Sequence, residues 1–325
     1  MLRSEHMSVL FRSECVVTST TEASARPIDI ASAAATLCHV RPQQPVVHHI
    51  SDTALWVTAL RARESRRPDA VFRDLLSERL ADERAEQIAN ALSRPVADDW
   101  VLVARTTLID ELVLSSIREG ADRVINLAAG LDTRPYRLDL PASLSWIEAD
   151  LPQLIDEKER LLQQDRPRCH LRREKVDLTD PDARRGFLER ALEGARSALV
   201  LTEGLLVYLE PAQVADLARD LRARDSVRWW MTDLASPGVL KILRQRIAAK
   251  LGANATLKFA PEEGVAFFRP LGWKTRDVRS FLREAARLRR IPWWMRLAAR
   301  LPEPNPTKLG PSRPWVAIVR FEQDE

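Results

Sequence analysis

Only three cysteines occur in 325 residues, Cys15, Cys38 and Cys169, and no C-x-x-C is present, which excludes a disulfide framework and a cysteine-based zinc site. Histidine is nearly as scarce, at five: His6, His39, His48, His49 and His170. The adjacent pair His48-His49 lacks the i,i+4 spacing that sets two ligands on one helix face, so no metal site is expected. No apolar run approaches the ~20 residues that span a bilayer, so stable membrane insertion is not expected. No basic segment leads into an apolar one at the N-terminus, and Glu5, Glu14, Glu22 and Asp29 offset Arg3, Arg12 and Arg26, against a transit peptide. The formal charge is only +4, from 50 basic and 46 acidic residues, and the arginines lie along the whole chain beside acids. That is a solvated surface rather than a nucleic-acid interface. A reduced, cytoplasmic protein is the expectation.

What is present is a chain long enough to bury a full core, as one large domain or a domain with an added cap. Residues 1–45 are rich in Ser, Thr and Ala and read as a loosely ordered lead-in with one short helix at 28–39. From Ser51 the apolar spacing turns helical, over 53–64 and 70–80, with a break at Pro68. A long helix capped by Asp98 or Asp99 is predicted to end at Gly120. Strand patterns follow at 123–127, 145–149, 171–176, 197–202, 227–233, 272–277 and 314–321. Helices are predicted between the early ones near 152–163, 181–194 and 211–224, with Pro181 and Pro211 at first helical turns. This alternation predicts an α/β fold, a Rossmann-like seven-stranded, mostly parallel sheet with helices on both faces. Residues 46–97 would form a helical N-terminal cap, and 278–300, read as one basic amphipathic helix, a late lid insertion within a domain spanning 46–325.

The most informative stretch runs from Val124 to Arg134 and then from Trp146 to Asp150. One strand ends in Ala128-Ala129-Gly130, and the next ends in acid, with Glu148 and Asp150 lying 18 and 20 positions after Gly130. Small residues let backbone N–H groups approach a nucleotide, and an acid on the next strand accepts bonds from ribose hydroxyls. A pyrophosphate needs G-x-G-x-x-G at a helix N-terminus, and here the second and third glycines are missing. That argues against an NAD-dependent oxidoreductase. A ligand with a ribose and no phosphates fits better, and S-adenosylmethionine is such a ligand.

Five segments add to this: Thr53-Ala54 with Arg61 to Ser65 and Arg67-Pro68-Asp69; Ala104 to Asp110; Asn126 to Leu138; Glu148 to Pro152 with Lys158; and Thr202 to Leu209. In this order and spacing the chain resembles the leucine carboxyl methyltransferase-like family of class I S-adenosylmethionine-dependent methyltransferases. The resemblance covers about 50–235. It implies that Arg105 pairs with the methionine carboxylate, that Ala128 and Gly130 line the turn, and that Asp150 binds the ribose. It further implies that Asp177 accepts from the adenine amino group, that the Leu178 backbone faces the ring, and that Glu203 holds the methionine end. The family usually has Gly where this chain has Ala128, which matters most if that residue needs positive φ. Arg134 and Arg137 read as fold-stabilising ion pairs, and the pairs Trp229-Trp230 and Trp293-Trp294 as core or cap.

The activity implied is O-methyl transfer to a carboxylate of a small molecule, a natural product or its intermediate, by in-line displacement that relies on proximity. A carboxylate is ionised at pH 7 and needs no general base, in keeping with the lack of histidine near the motifs. Tyr208, His48 and His49 are the candidate catalytic side chains. Rival readings are methylation of a hydroxyl group and a regulatory protein that binds the cofactor without turnover. For 278–300, a lid over the acceptor competes with a peripheral membrane helix.

Overall fold

The computed structural model describes residues 52–92, 99–247, 256–301 and 314–324, all within a unit spanning 44–325. The lead-in 1–45, its helix at 28–39, and His48 and His49 lie outside the described residues. Among the described residues there are seven strands: β1 (Arg123–Leu127), β2 (Ser145–Asp150), β3 (His170–Lys175), β4 (Ala198–Thr202), β5 (Val227–Ala235), β6 (Trp273–Ser280) and β7 (Val316–Gln323). They form one sheet in the order β3-β2-β1-β4-β5-β7-β6. β1 to β5 pair in parallel, and β7 runs antiparallel to both β5 and β6. The strand and sheet-class expectations hold, to within three residues at each strand end.

The helices ahead of β1 are α1 (Asp52–Ser65), α2 (Leu75–Leu80), α3 (Glu83–Leu92) and α4 (Trp100–Arg118). Between the strands come α5 (Arg134–Arg137), α6 (Pro152–Leu162), α7 (Pro181–Leu192), α8 (Pro211–Arg222), α9 (Pro237–Ile247), α10 (Phe281–Arg287) and α11 (Trp293–Ala298). Local chemistry sets their starts. The Asp180 carboxylate accepts from the Asp182 and Ala183 N–H groups ahead of α7, and Glu210 with Gln213 forms a reciprocal capping box on α8. Gly120, at φ 106°, ends α4, whose N-cap Asp99 makes no side-chain cap bond.

Helices on both sheet faces make the central strands buried on both sides, so successive residues enter different cores. Trp229 joins Val124, Trp146 and Ile318 under α4 and α10, while Trp230 joins Ile125, Phe187 and Phe268 on the opposite face. The Trp230 indole N–H donates to Thr202 Oγ1 at 2.9 Å. This pair is core, as expected. Trp293 and Trp294 are not, for both are exposed.

Three helical expectations need correction. The helix expected over 70–80 starts only at Leu75, because Asp74 accepts from the Ser77 N–H and, through its own N–H, binds Ser65 Oγ. The cap gains α3, and α9 follows β5, neither of which the apolar spacing signalled. Residues 278–300 are not one helix. Residues 278–280 complete β6, and α10 and α11 follow, separated by a turn at Arg289 (φ 57°). Phe281, Ala285 and Ile291 from this segment sit in the core beneath α4. Among the described residues, no helix is long and apolar enough to cross a membrane.

Candidate functional site

From β1 the chain crosses towards β2 on one side, while β4 lies on the other. In a parallel sheet a crevice opens beyond the carboxyl ends of such strands. The register aligns the ends of β1, β2, β4 and β5, so Ala128, Asp150, Glu203 and Asp233 lie at one edge of the sheet.

The turn after β1 is unusual in its backbone. Ala128 has φ 55° and Gly130 φ 48°. A Cβ at position 130 would come 3.2 Å from the Ala54 Cβ, so α1 packs directly on the turn, and this tight approach together with the positive φ favours Gly there. Ala128 does carry a Cβ in the left-handed region, at a cost of roughly 1–2 kcal/mol.

Asp150 is held against this turn. Its Oδ2 accepts from the Gly130 N–H at 2.7 Å, and its Oδ1 from the Leu151 N–H at 2.7 Å. Burial raises its pKa, and the two N–H groups only partly offset this. Each oxygen has accepted one bond, which leaves acceptor capacity for a diol.

Behind the turn lies a polar network. Buried Arg134 donates from Nε to Asp110 Oδ1 (2.7 Å) and from Nη1 to Asp132 Oδ2 (2.9 Å) and Glu203 Oε2 (2.7 Å). Asn126 Nδ2 donates to Asp132 Oδ2 at 2.8 Å. Arg137 pairs with Asp110, and Arg61 donates to the Leu131 carbonyl at 2.6 Å. Burial alone would raise the Asp132 pKa, but Arg134, Lys158 and Arg61 hold it well below the carboxylate range. Arg134 is correspondingly pushed up despite its burial, by Asp132, Glu203 and Asp110. Arg134 and Arg137 are thus the structural ion pairs that the sequence suggests.

Glu203 bridges this network to α4. Its Oε1 lies 2.9 Å from Arg105 Nε, and Arg105 Nη1 is 3.5 Å from Asp233 Oδ2. The Arg105 Nε contact is close but lacks hydrogen-bond geometry, so a buried donor remains unsatisfied there. Burial opposes the charge on Glu203, yet Arg134 and Arg105 keep its pKa below the usual value. Asp233 accepts from the Gly204 N–H at 2.7 Å, and burial raises its pKa in spite of Arg105.

Arg105, Ala128, Gly130, Asp150 and Glu203 therefore meet at one edge. Asp177 is exposed just beyond β3, with Oδ1 accepting from the Thr179 N–H and hydroxyl at 2.9 and 2.6 Å. Leu178 is half-buried, and its carbonyl accepts from Arg184. Tyr208 is half-buried in a short 3-10 turn (Leu206–Tyr208); burial raises its pKa, with Thr53 pulling the other way. His170 starts β3, at the opposite end of the sheet from the crevice. Asp110, Asp132 and Asp233 are residues for which the sequence reading assigned no role. Asp233 had a usable signal, an acid near the carboxyl end of an apolar strand, as at Asp150.

The family model described as leucine carboxyl methyltransferase matches residues 54–222. The chain belongs to this family of S-adenosylmethionine-dependent methyltransferases. A relative from Frankia alni, named "Putative S-adenosyl-L-methionine-dependent methyltransferase", is 30% identical over 236 residues, which covers 68% of this chain and 82% of the relative. One of the same name from Mycobacteroides abscessus is 34% identical over 193 residues, covering 54% and 62%. Among solved structures, a methyltransferase-titled protein from Thermobifida fusca superposes with a TM-score of 0.54 at 14% identity, over 89% of this chain and 100% of that one. A duf574 family protein from Streptomyces avermitilis gives 0.54 at 11% identity, over 86% and 98%. At such identities the structures support the fold alone. Within the methyltransferase chain, the family match takes in every site residue named above except Asp233.

Proposed function

We propose that this protein binds S-adenosylmethionine in the crevice beyond β1 and β4 and transfers its methyl group to a carboxylate of a small molecule. The observation that carries this reading is the charge and shape of the edge itself. Four carboxylates, Asp132, Asp150, Glu203 and Asp233, meet two guanidiniums, Arg105 and Arg134, around a tight turn of small residues. Such a surface disfavours a pyrophosphate and favours a ligand bearing a sulfonium and an ammonium.

In this reading Asp150 accepts from the ribose hydroxyls, and Asp177 and the Leu178 backbone flank the adenine. Arg105 pairs with the amino-acid carboxylate, and Glu203 accepts from the ammonium. The cofactor supplies an electrophilic methyl group on sulfur. The chain contributes position: α1 packs on Gly130 through Ala54 and supports the turn on which the ligand rests. A carboxylate acceptor arrives ionised, and Tyr208, whose pKa burial raises, serves it as a hydrogen-bond donor rather than a base.

A hydroxyl acceptor is the second reading, supported by Asp233, whose raised pKa suits a group that takes up a proton. Incubation with methyl-labelled cofactor and extracts of the producing cells separates the two. A methyl ester, lost in mild alkali, is the expected product, and an alkali-stable ether would transfer the assignment to the hydroxyl.

A further inference from the structure

The surface formed by α10 and α11 has a composition that the crevice does not explain. Trp293, Trp294, Leu297 and Leu301 are 66%, 50%, 52% and 65% exposed, and no residue of α11 is buried. Large apolar side chains gathered on a surface mark an interaction site. Trp293 and Leu297 border a groove of about 550 Å³ lined also by Arg287, Arg289, Arg296 and Arg300, and among the described residues no carboxylate lines it.

Of these arginines, Arg287 is neutralised by Glu284 and Glu111. Arg296 makes no ion pair among the described residues, and its Nε is buried without a hydrogen-bond acceptor. The platform is nevertheless anchored. Ile291 and Ala299 are buried on either side of α11, and Met295 packs against the core. Arg290 binds Glu64 at 2.7 Å and Asp69 at 3.0 Å, tying the turn to α1 and the segment after it. The segment thus presents indoles and leucines outward from a fixed base, amid positive charge.

We propose that the α10–α11 surface docks on an anionic phospholipid bilayer. Indole rings partition to the headgroup level, leucines enter the acyl boundary, and guanidiniums pair with lipid phosphates. The charge complementarity favours this occupant, since an uncharged apolar partner would leave the arginines of the groove unpaired on docking. The contact is peripheral and is independent of which acceptor is methylated.

The test uses the full chain and sedimentable vesicles, either of phosphatidylcholine alone or with one-third phosphatidylglycerol. Binding is expected to the anionic vesicles only and to weaken at high salt. Arg296→Gln and Arg300→Gln should each lower the partition coefficient about fivefold, matching roughly 1 kcal/mol per arginine near an anionic surface. The Trp293→Ala/Trp294→Ala variant should lose binding and lose quenching by brominated lipid, while its thermal unfolding stays that of the parent chain. Failure to bind either vesicle, or equal binding by that variant, overturns the proposal. So does self-association or capture of polyglutamate without vesicle binding, either of which would assign the surface to a second copy or to an acidic protein.

Discussion

Replacing Arg134 with Met keeps most of the side-chain volume and removes the charge that three carboxylates share. The consequences differ for each. Asp110 retains Arg137 through two bonds of 2.6 and 2.8 Å, and Glu203 retains Arg105. Asp132 loses the guanidinium that pairs with it and keeps the Asn126 amide and the residue-134 N–H. One buried carboxylate is therefore left without its close countercharge, a change that costs about 3–5 kcal/mol. At roughly 2–4 °C per kcal/mol, the melting temperature should fall by roughly 6–20 °C. The pH dependence carries a definite sign. Asp132 and Glu203 have folded pKa values below their ordinary ones, so they contribute stability above the carboxylate range that is lost as pH falls through the folded values. Without Arg134 these depressions shrink or reverse. Urea unfolding of the two proteins should then show the largest gap at neutral pH, narrowing as acidification protonates the carboxylates. A loss below about 1 kcal/mol, or a gap indifferent to pH, would refute the claim that Arg134 acts through charge.

Two further perturbations probe the turn. Ala128→Gly relieves about 1–2 kcal/mol of left-handed strain and costs about 0.4–1 kcal/mol in unfolded-chain entropy, so chemical denaturation should show equal or slightly greater stability. Calorimetry should find its S-adenosylmethionine affinity undiminished; a clear loss of either would mean that the methyl packs against something the strain argument omits. Asp150→Asn should weaken cofactor binding by about ten- to a hundredfold, the worth of hydrogen bonds to a charged acceptor. In the parent chain the affinity should also fall on acidification, starting at a higher pH than an unperturbed aspartate would give, because burial raises the Asp150 pKa and its protonated form accepts less well. Parent-like affinity in Asp150→Asn, with the same pH dependence in both proteins, would remove Asp150 from the site.

What the chain order alone determined was the alternation of strands and helices that makes the sheet. Alternation between apolar strands and proline-started helices marks the parallel sheet, and the offset from Gly130 to Asp150 marks the crevice, because strand and helix repeats are short-range properties. Ala128, Asp150 and Glu203 were legible as strand-end positions, whereas Arg105, inside a helix, was singled out only by the family resemblance. The tertiary structure decided the rest. Asp110, Asp132 and Asp233 acquire meaning only once α4, the turn and β5 converge on Arg134 and Arg105, residues distant in sequence. The positive φ of Ala128 is set in the folded turn, since no local preference of alanine would select it. The fate of 278–300 was likewise global: pairing of β6 with β7 takes its first residues into the sheet, and burial of Phe281, Ala285 and Ile291 under α4 turns the tryptophans outward. Helical spacing specifies that such a segment has two faces, and the partners that fold against it determine which one meets solvent.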